Sequence, residues 1–292
     1  MFDRYISIDW SGSGTDDRRV NLRVVEANPQ NMDGVVVGPP VARIGTRAWT
    51  RAECREWLTQ ALASNQPRCL VAMDFGFSYP WGTDENVFSC QGWRQMLGEV
   101  AEVYNQKGSA RRAAESINLQ SRFDDHGPFR FDHDRTDFHF YLDNGVAYYR
   151  LVEMAIPQAI SQWYLGAGAA VGFSSITGMV ALDHLITLRE HGDIDFQVWP
   201  QESLVPEADK HVIVESYPAM YPEPSDFGGC PDNDRDCRDA WKALRWMVLA
   251  DASGTLEQAF ELTPQPFGRA VGVGFKDQVR FEGWILGIME EP

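Results

Sequence analysis

The chain is poor in the residues that build soft-metal and disulfide sites. Of its 292 residues only 6 are His and 5 are Cys, and the cysteines, at 54, 69, 90, 230 and 237, form no C-x-x-C pair. Zinc-ribbon and thioredoxin-type motifs are thereby excluded. The odd, scattered cysteines fit a reducing compartment, so a cytoplasmic location is expected. No apolar run reaches the about 18 residues that a membrane helix requires. Met1-Phe2-Asp3-Arg4 leads into an apolar stretch without a signal-peptide pattern, and no membrane association is expected. Cations are also scarce: 26 Lys and Arg stand against 42 Asp and Glu, a net charge of −16. Such a surface repels long polyanions, so nucleic-acid binding requires a local basic patch. One stretch offers it, with Lys107, Arg111, Arg112, Arg122, Arg130 and Arg135, although its first reading is a solvated helix and loop.

What is present is a large apolar complement. Hydrophobic residues make up 44% and aromatics 12%, including 10 Trp, enough to fill a sizeable core. Residues 5–9 and 20–27 read as strands, and 41–44 as a third after a loop rich in Asn, Pro and Gly. Thr50-Arg51-Ala52-Glu53 has the form of a capping box ahead of a helix over 51–63. A short buried strand follows at 69–74. The order of three strands, a helix and a strand points to an α/β fold with a parallel crossover. Residues 78–192 read as an α-rich insertion with helices at 92–106, 153–165 and 177–190. Strands return at 196–199 and 211–215. An amphipathic helix then runs from Asp239 to about Ala252, and a last one spans 276–288.

Acids recur at the ends of these elements. The first strand closes on Asp9 in Ile8-Asp9-Trp10-Ser11, the fourth on Asp74 and a later one on Glu215, while Asp239 opens a helix. Each alone has a simple explanation, since Asp closes strands in turns and acids in a first helical turn, here Asp236 and Asp239, favour the helix dipole. Together, at the carboxyl ends of strands in an open α/β sheet, they mark the usual place of a ligand site. Two carboxylates about 4 Å apart repel by roughly 4 kcal/mol at an effective dielectric near 20. A converging set therefore needs protons or cations. Oxygen donors without His or Cys favour hard cations, Mg²⁺ or Mn²⁺, and two such ions suit in-line attack on a phosphodiester. Residues 124–139 are dense in Asp and His, but their spacing matches no tight ligand motif and reads as a solvated acidic loop. The glycine-rich run 166–178 is neither a P-loop nor a G-x-G-x-x-G fingerprint. Its Ser174 and Ser175, like Ser11 after the first strand, are nevertheless candidate phosphate contacts.

A family resemblance joins these pieces. Ile8-Asp9-Trp10-Ser11, Met73-Asp74-Phe75-Gly76-Phe77-Ser78-Tyr79-Pro80, Tyr149-Arg150-Leu151-Val152-Glu153 and Ser174-Ser175-Ile176-Thr177-Gly178-Met179 occur in order. Val198-Trp199-Pro200, Val214-Glu215-Ser216-Tyr217-Pro218, Arg238-Asp239-Ala240-Trp241 and Glu282-Gly283-Trp284-Ile285-Leu286-Gly287 complete the series. The chain thus resembles the predicted-nuclease family called domain of unknown function 429, within the ribonuclease H-like superfamily. The resemblance implies a mixed five-stranded sheet flanked by helices, here a single domain over 1–292. It also implies metal-binding acids on the first and fourth strands and a late helix: Asp9, Asp74 and Asp239, with Glu215 as a further acid. Arg150 and Arg238 join the expected phosphate contacts, Arg238 standing where the family has His. The expected activity is hydrolysis of a short or structured nucleic acid, or a nucleotide, with two Mg²⁺ or Mn²⁺ ions. An actin-like phosphotransferase or ATPase, and a non-catalytic binding protein on the same fold, are the alternatives.

Overall fold

The computed structural model describes residues 2–28, 30–41, 48–120, 127–131, 145–156, 158–166, 170–262 and 272–288. The chain divides into two compact units. The first comprises residues 1–75, 185–263 and 285–292, and the second 76–184 and 264–284. Among the described residues no helix is long and apolar enough to cross a membrane. The acidic cluster expected at 124–139 lies outside the described residues.

The first unit is built on a six-stranded mixed sheet of order β3-β2-β1-β4-β6-β5, one strand more than the resemblance implies. β1 (Arg4–Asp9), β2 (Arg23–Asn28) and β3 (Asn31–Val37) form an antiparallel meander. β3 lies at 31–37, directly after a tight turn, and the strand expected at 41–44 falls, but for residue 41, outside the described residues. Asn28 Oδ1 accepts from the backbone N–H groups of Gln30 (3.0 Å) and Asn31 (3.1 Å), closing the hairpin within a few residues. Gly34, at φ +93°, is required in β3, since a Cβ there would come within 2.8 Å of Leu244 Cδ2.

Helix α1 (Arg51–Ala61) carries the chain across to β4 (Cys69–Asp74), which pairs in parallel with β1. The expected capping box is present: Glu53 N–H donates to Thr50 Oγ1 at 3.1 Å, and Thr50 N–H to Glu53 Oε2 at 3.0 Å. The next residue, Arg51, is fully buried. Its guanidinium donates to the carbonyls of Ser11 (2.9 Å), Ser13 (2.7 Å) and Gly14 (2.9 Å), and pairs with Asp16 at 3.0 Å. One side chain thus fixes the turn that follows Asp9. β5 (Phe196–Trp199) and β6 (His211–Glu215) complete the parallel half, and β4 and β6 are apolar almost throughout, as strands covered on both faces are. Helix α6 (Arg235–Ala252) packs on β1 and β2. It begins four residues before the expected start because Asp234, its N-cap, accepts from Cys237 N–H at 3.1 Å.

The second unit contains α2 (Gly92–Lys107), α3 (Ala110–Gln120), α4 (Leu151–Ala155) and α7 (Phe275–Glu282). Helix α5 (Gly172–Glu190) straddles the division in sequence. The helix expected over 153–165 is the single turn α4. Its last residue is followed by Ile156, which is extended (φ −119°, ψ 103°) as a residue ahead of proline is driven to be. α3 had no counterpart in the sequence reading. Gly108, at φ +72°, ends α2 and lets a new helix start at once. Likewise α7 stops at Gly283 (φ +88°) and does not continue to 288.

A buried polar hub organises this unit. Arg150 Nε pairs with Glu153 Oε1 at 2.9 Å, and Arg150 Nη1 donates to the Glu282 carbonyl at 2.9 Å. The Glu282 carboxylate accepts from Trp81 N–H (2.8 Å), Leu151 N–H (2.7 Å) and Gln278 Nε2 (2.9 Å). Gln162 Nε2 donates to Glu153 Oε1 at 2.7 Å, and its carbonyl oxygen accepts from the Ser175 hydroxyl. Gly76 must be glycine, because a Cβ would meet the Gln162 amide at 2.4 Å. Burial pushes the Glu282 carboxyl up to about 7, against the pull of these donors. Removing one member of a buried ion pair strands the other, typically at roughly 3–5 kcal/mol. Arg150→Ala is expected to lower stability by about that amount, read as a reduced urea midpoint at unchanged slope.

Candidate functional site

Asp9 and Asp74 are register partners at the carboxyl ends of adjacent parallel strands. Partners in a parallel ladder share a face of the pleat, so both carboxyl groups project on the same side. Trp10, the next residue, is buried against Phe75 with ring centroids 5.7 Å apart, a core role. Asp236 and Asp239 lie on the first two turns of α6, three residues apart and so on one helix face. These four acids interact electrostatically. Burial, then the charges of Asp74, Asp236 and Asp239, hold the Asp9 carboxyl well above the usual carboxylate range. Burial, then Asp239, Glu215 and Asp236, push Asp74 up to about 8. Burial followed by Asp234 raises Asp236.

Glu215 ends β6, as expected, with its charge acting on Asp74. Its register partner is Met73, so the alternation of the pleat sets it on the face opposite Asp74, and Ser216 falls in the row of Asp9 and Asp74. Glu215 is buried, and its charge raises Asp74. Asp236 joins these acids although the sequence reading did not count it among them. A first-turn acid reads by default as a helix-dipole partner, which is why its second role was missed.

Asp9 has a counter-charge in Arg23, which is paired in register with it on β2 and lowers its pKa, while Arg235 and Lys242 pair with Asp239 at 3.5 and 3.1 Å. The Arg23 guanidinium is itself buried. Nε and Nη2 donate to Asp234 Oδ2 at 2.8 and 2.7 Å, and Nη1 to the Leu22 carbonyl at 2.9 Å. Since Asp234 also caps α6, this pair fastens the start of that helix to the strand beside Asp9. Sequence gave no hint of it, because the partners are 211 residues apart.

The loop ahead of α6 is closed by a disulfide between Cys230 and Cys237, with Cα atoms 5.6 Å apart. The cysteine reading is corrected accordingly. The pair is not C-x-x-C, but the chain folds back before the helix and brings residues seven apart together. The cysteine count therefore gives no argument for a reducing compartment. Cys54, Cys69 and Cys90 are free.

Beside the acids opens a cavity of about 440 Å³. Asp74, Asp239 and Tyr217 contribute to its lining, and Arg235, Arg238 and Lys242 bring three cations to it. Burial, then the charges of Asp74 and Asp239, raise the Tyr217 hydroxyl. Arg238 reaches Glu223 at 3.6 Å and lies 4.1 Å over the Phe227 ring. Lys242 Nζ sits 3.1 Å from Asp239 Oδ1 and 2.8 Å from Glu223 Oε1. Arg235 and Lys242 were absent from the sequence expectation, although their spacing of three, four and seven from Arg238 and each other puts them on one helical stripe.

The remaining expected contacts lie elsewhere. Ser11 is half-buried in the turn held by Arg51, its hydroxyl 3.1 Å from that of Ser13. Arg150 and Ser175 are fully buried in the hub of the second unit, spent on Glu153, Glu282 and Gln162. They are structural there, and their expected phosphate role is withdrawn. Ser174 is half-buried at the start of α5. Lys107, Arg111 and Arg112 are exposed on the second unit, where Arg111 pairs with Glu115 at 3.0 Å. Arg122 and Arg135 lie outside the described residues.

No protein-family model, no curated protein and no solved structure matches the chain. What the site does is therefore argued from its chemistry. Among the described residues no group of three or more His, Cys, Asp or Glu stands gathered as a ready metal cage. The carboxylates instead sit within Coulomb reach of one another, with Asp9, Asp74 and Asp236 raised in pKa and Arg23 in register with Asp9, so their donor chemistry fits a hard divalent ion.

Two outcomes follow from the electrostatics. The folded-state value of Asp74 lies above its ordinary 3.8, so between about pH 4 and 8 the folded chain keeps a proton that the unfolded chain gives up. Asp74 therefore loses stability for the metal-free protein as pH rises through that window. Asp74→Asn is expected to raise the melting temperature in EDTA at pH 9 and to leave it unchanged at pH 3.5. For the Arg23–Asp234 pair, Arg23→Met should destabilise more than Arg23→Met/Asp234→Leu, because the single change leaves a buried carboxylate alone. Thermal melts of the two variants and the parent check the order.

Proposed function

We propose that the protein is a metal-dependent phosphodiesterase of ribonuclease H-like architecture, acting on a nucleic acid or nucleotide. The observation that carries this reading is the pairing of Asp9 and Asp74 at the ends of adjacent parallel strands, with Asp236 and Asp239 of α6 acting on both. Acids on the first strand, the fourth strand and a late helix are also what the family resemblance implies. Asp9, Asp74, Asp236 and Asp239 would hold Mg²⁺ or Mn²⁺, with Glu215 adding negative charge behind Asp74. Bound there, two such ions would supply an activated water and charge stabilisation at the leaving oxygen.

The protein's own part is positional. The β1–β4 register and the Arg23–Asp234 pair hold the carboxylates at a fixed spacing before any ligand arrives. Hydrolysis forms one P–O bond from water and breaks another, the water's proton leaving with the departing alcohol. The phosphotransferase alternative rested on segment 166–178, whose Ser175 hydroxyl is committed inside the second unit.

The test is a calorimetric titration of Mn²⁺ into the parent, Asp9→Asn and Asp74→Asn proteins, each confirmed folded by its melt. Binding is expected in the parent and absent in both variants. Hydrolysis of bis(p-nitrophenyl) phosphate is expected to fall by at least ~100-fold in each, beyond what loss of an outer-shell partner costs. Equal Mn²⁺ binding by all three proteins, or none by any, would overturn the reading.

A further inference from the structure

The cavity beside the acids carries more information than the acids themselves. Its lining sets Arg235, Arg238 and Lys242 among the acids Asp74, Glu223, Asp232 and Asp239. A hydrolytic acid cluster needs no such row of cations, because bound metal ions already neutralise the scissile phosphate. The row is instead suited to a second, more highly charged anion close to the first. We propose that Arg235, Arg238 and Lys242 form a subsite for a terminal phosphate monoester, and that the substrate is a short phosphodiester of one or two nucleotides carrying it. This inference rests on the phosphodiesterase reading for the bond cleaved, but its binding component stands on the cavity alone.

Four observations support it. The three cations lie on one stripe of α6, at positions 235, 238 and 242, so a single anion can meet all of them. Two of them have a displaceable partner in Glu223, which pairs with Arg238 and Lys242 and is 62% exposed, while Arg235 and Lys242 also meet Asp239 at 3.5 and 3.1 Å. The Arg238 guanidinium lies 4.1 Å over Phe227, which fixes its plane for a forked contact with phosphate. The wall is also preformed, since Asp232, Asn233 and Arg235 fall within the loop closed by Cys230–Cys237, and Asp234 between them is tied to Arg23.

Size and charge limit the ligand. A volume of about 440 Å³ is that of a small-molecule pocket and not of a duplex groove. The net charge of −16 opposes accumulation of a long polyanion but penalises a dinucleotide far less.

Binding is to be measured by calorimetry in Ca²⁺ for three probes: a 5′-phosphorylated diadenylate, unphosphorylated diadenylate, and a 20-nucleotide single strand without a terminal phosphate. The phosphorylated dinucleotide is expected to bind at least 10-fold more tightly than either of the others. In Arg235→Ala/Arg238→Ala, whose side chains are solvent-exposed, that preference should fall to about one. Equal affinity for the two dinucleotides, tighter binding of the 20-mer, or a preference that survives in the double variant would each overturn the inference. Hydrolysis of bis(p-nitrophenyl) phosphate in Mn²⁺ is followed in parallel. Its absence alongside an intact binding preference would refute the catalytic reading and leave the phosphate subsite standing. Its presence without the preference would do the reverse.

Discussion

The buried pair between Arg23 and Asp234 is the interaction on which the candidate site depends. It joins the second strand of the sheet to the first residue before α6, and both partners are nearly inaccessible to solvent. Asp234 is shared, one oxygen taking the guanidinium and the other the Cys237 amide, so the cap that starts the helix is also the anchor that places it. Such a pair gains little net stability, because desolvating two charges offsets most of their attraction. Its value is registry: it sets which turn of α6 stands over Asp9.

That placement creates a tension the fold alone does not relieve. Asp9, Asp74 and Asp236 are each raised in pKa, with the charge of Asp239 among the causes, and the buried cation Arg23 already has a carboxylate partner. Groups perturbed together in this way are characteristic of sites that bind something, since repulsion held in the ground state becomes affinity for a cation. The neighbouring cations of α6 do not cancel it. Lys242 shares itself between Asp239 and Glu223, and Arg238 leans on Phe227 and Glu223. The result is a cavity lined by acids and cations together.

The second unit follows a different logic. Five polar side chains there turn inward and satisfy one another: Arg150, Glu153, Gln162, Ser175 and Glu282 close a network in which backbone N–H groups of Trp81 and Leu151 also take part. Several of the sequence stretches that suggested a phosphate site meet in this hub. Their residue types are those of an anion site, but the anions are the protein's own glutamates.

The strand ends were legible from the sequence because an apolar run halted by a carboxylate is a local pattern. Asp9 and Asp74, the limits of β4, β5 and β6, and the capping box of α1 could all be read in this way. Local pattern also misled. Glu215 ends its strand as Asp74 does, yet a one-residue offset in register turns it to the other face, and register is a property of two strands, not one. Arg150 and Ser175 looked available and are buried; Asp236 looked like a helix-dipole acid and joins the cluster. Composition and periodicity determined that this is an α/β chain with acids at its strand ends. Only the tertiary structure decided which acids meet and which cations stand beside them, because those choices rest on contacts such as Arg23–Asp234, made between residues too distant in the chain to leave a pattern.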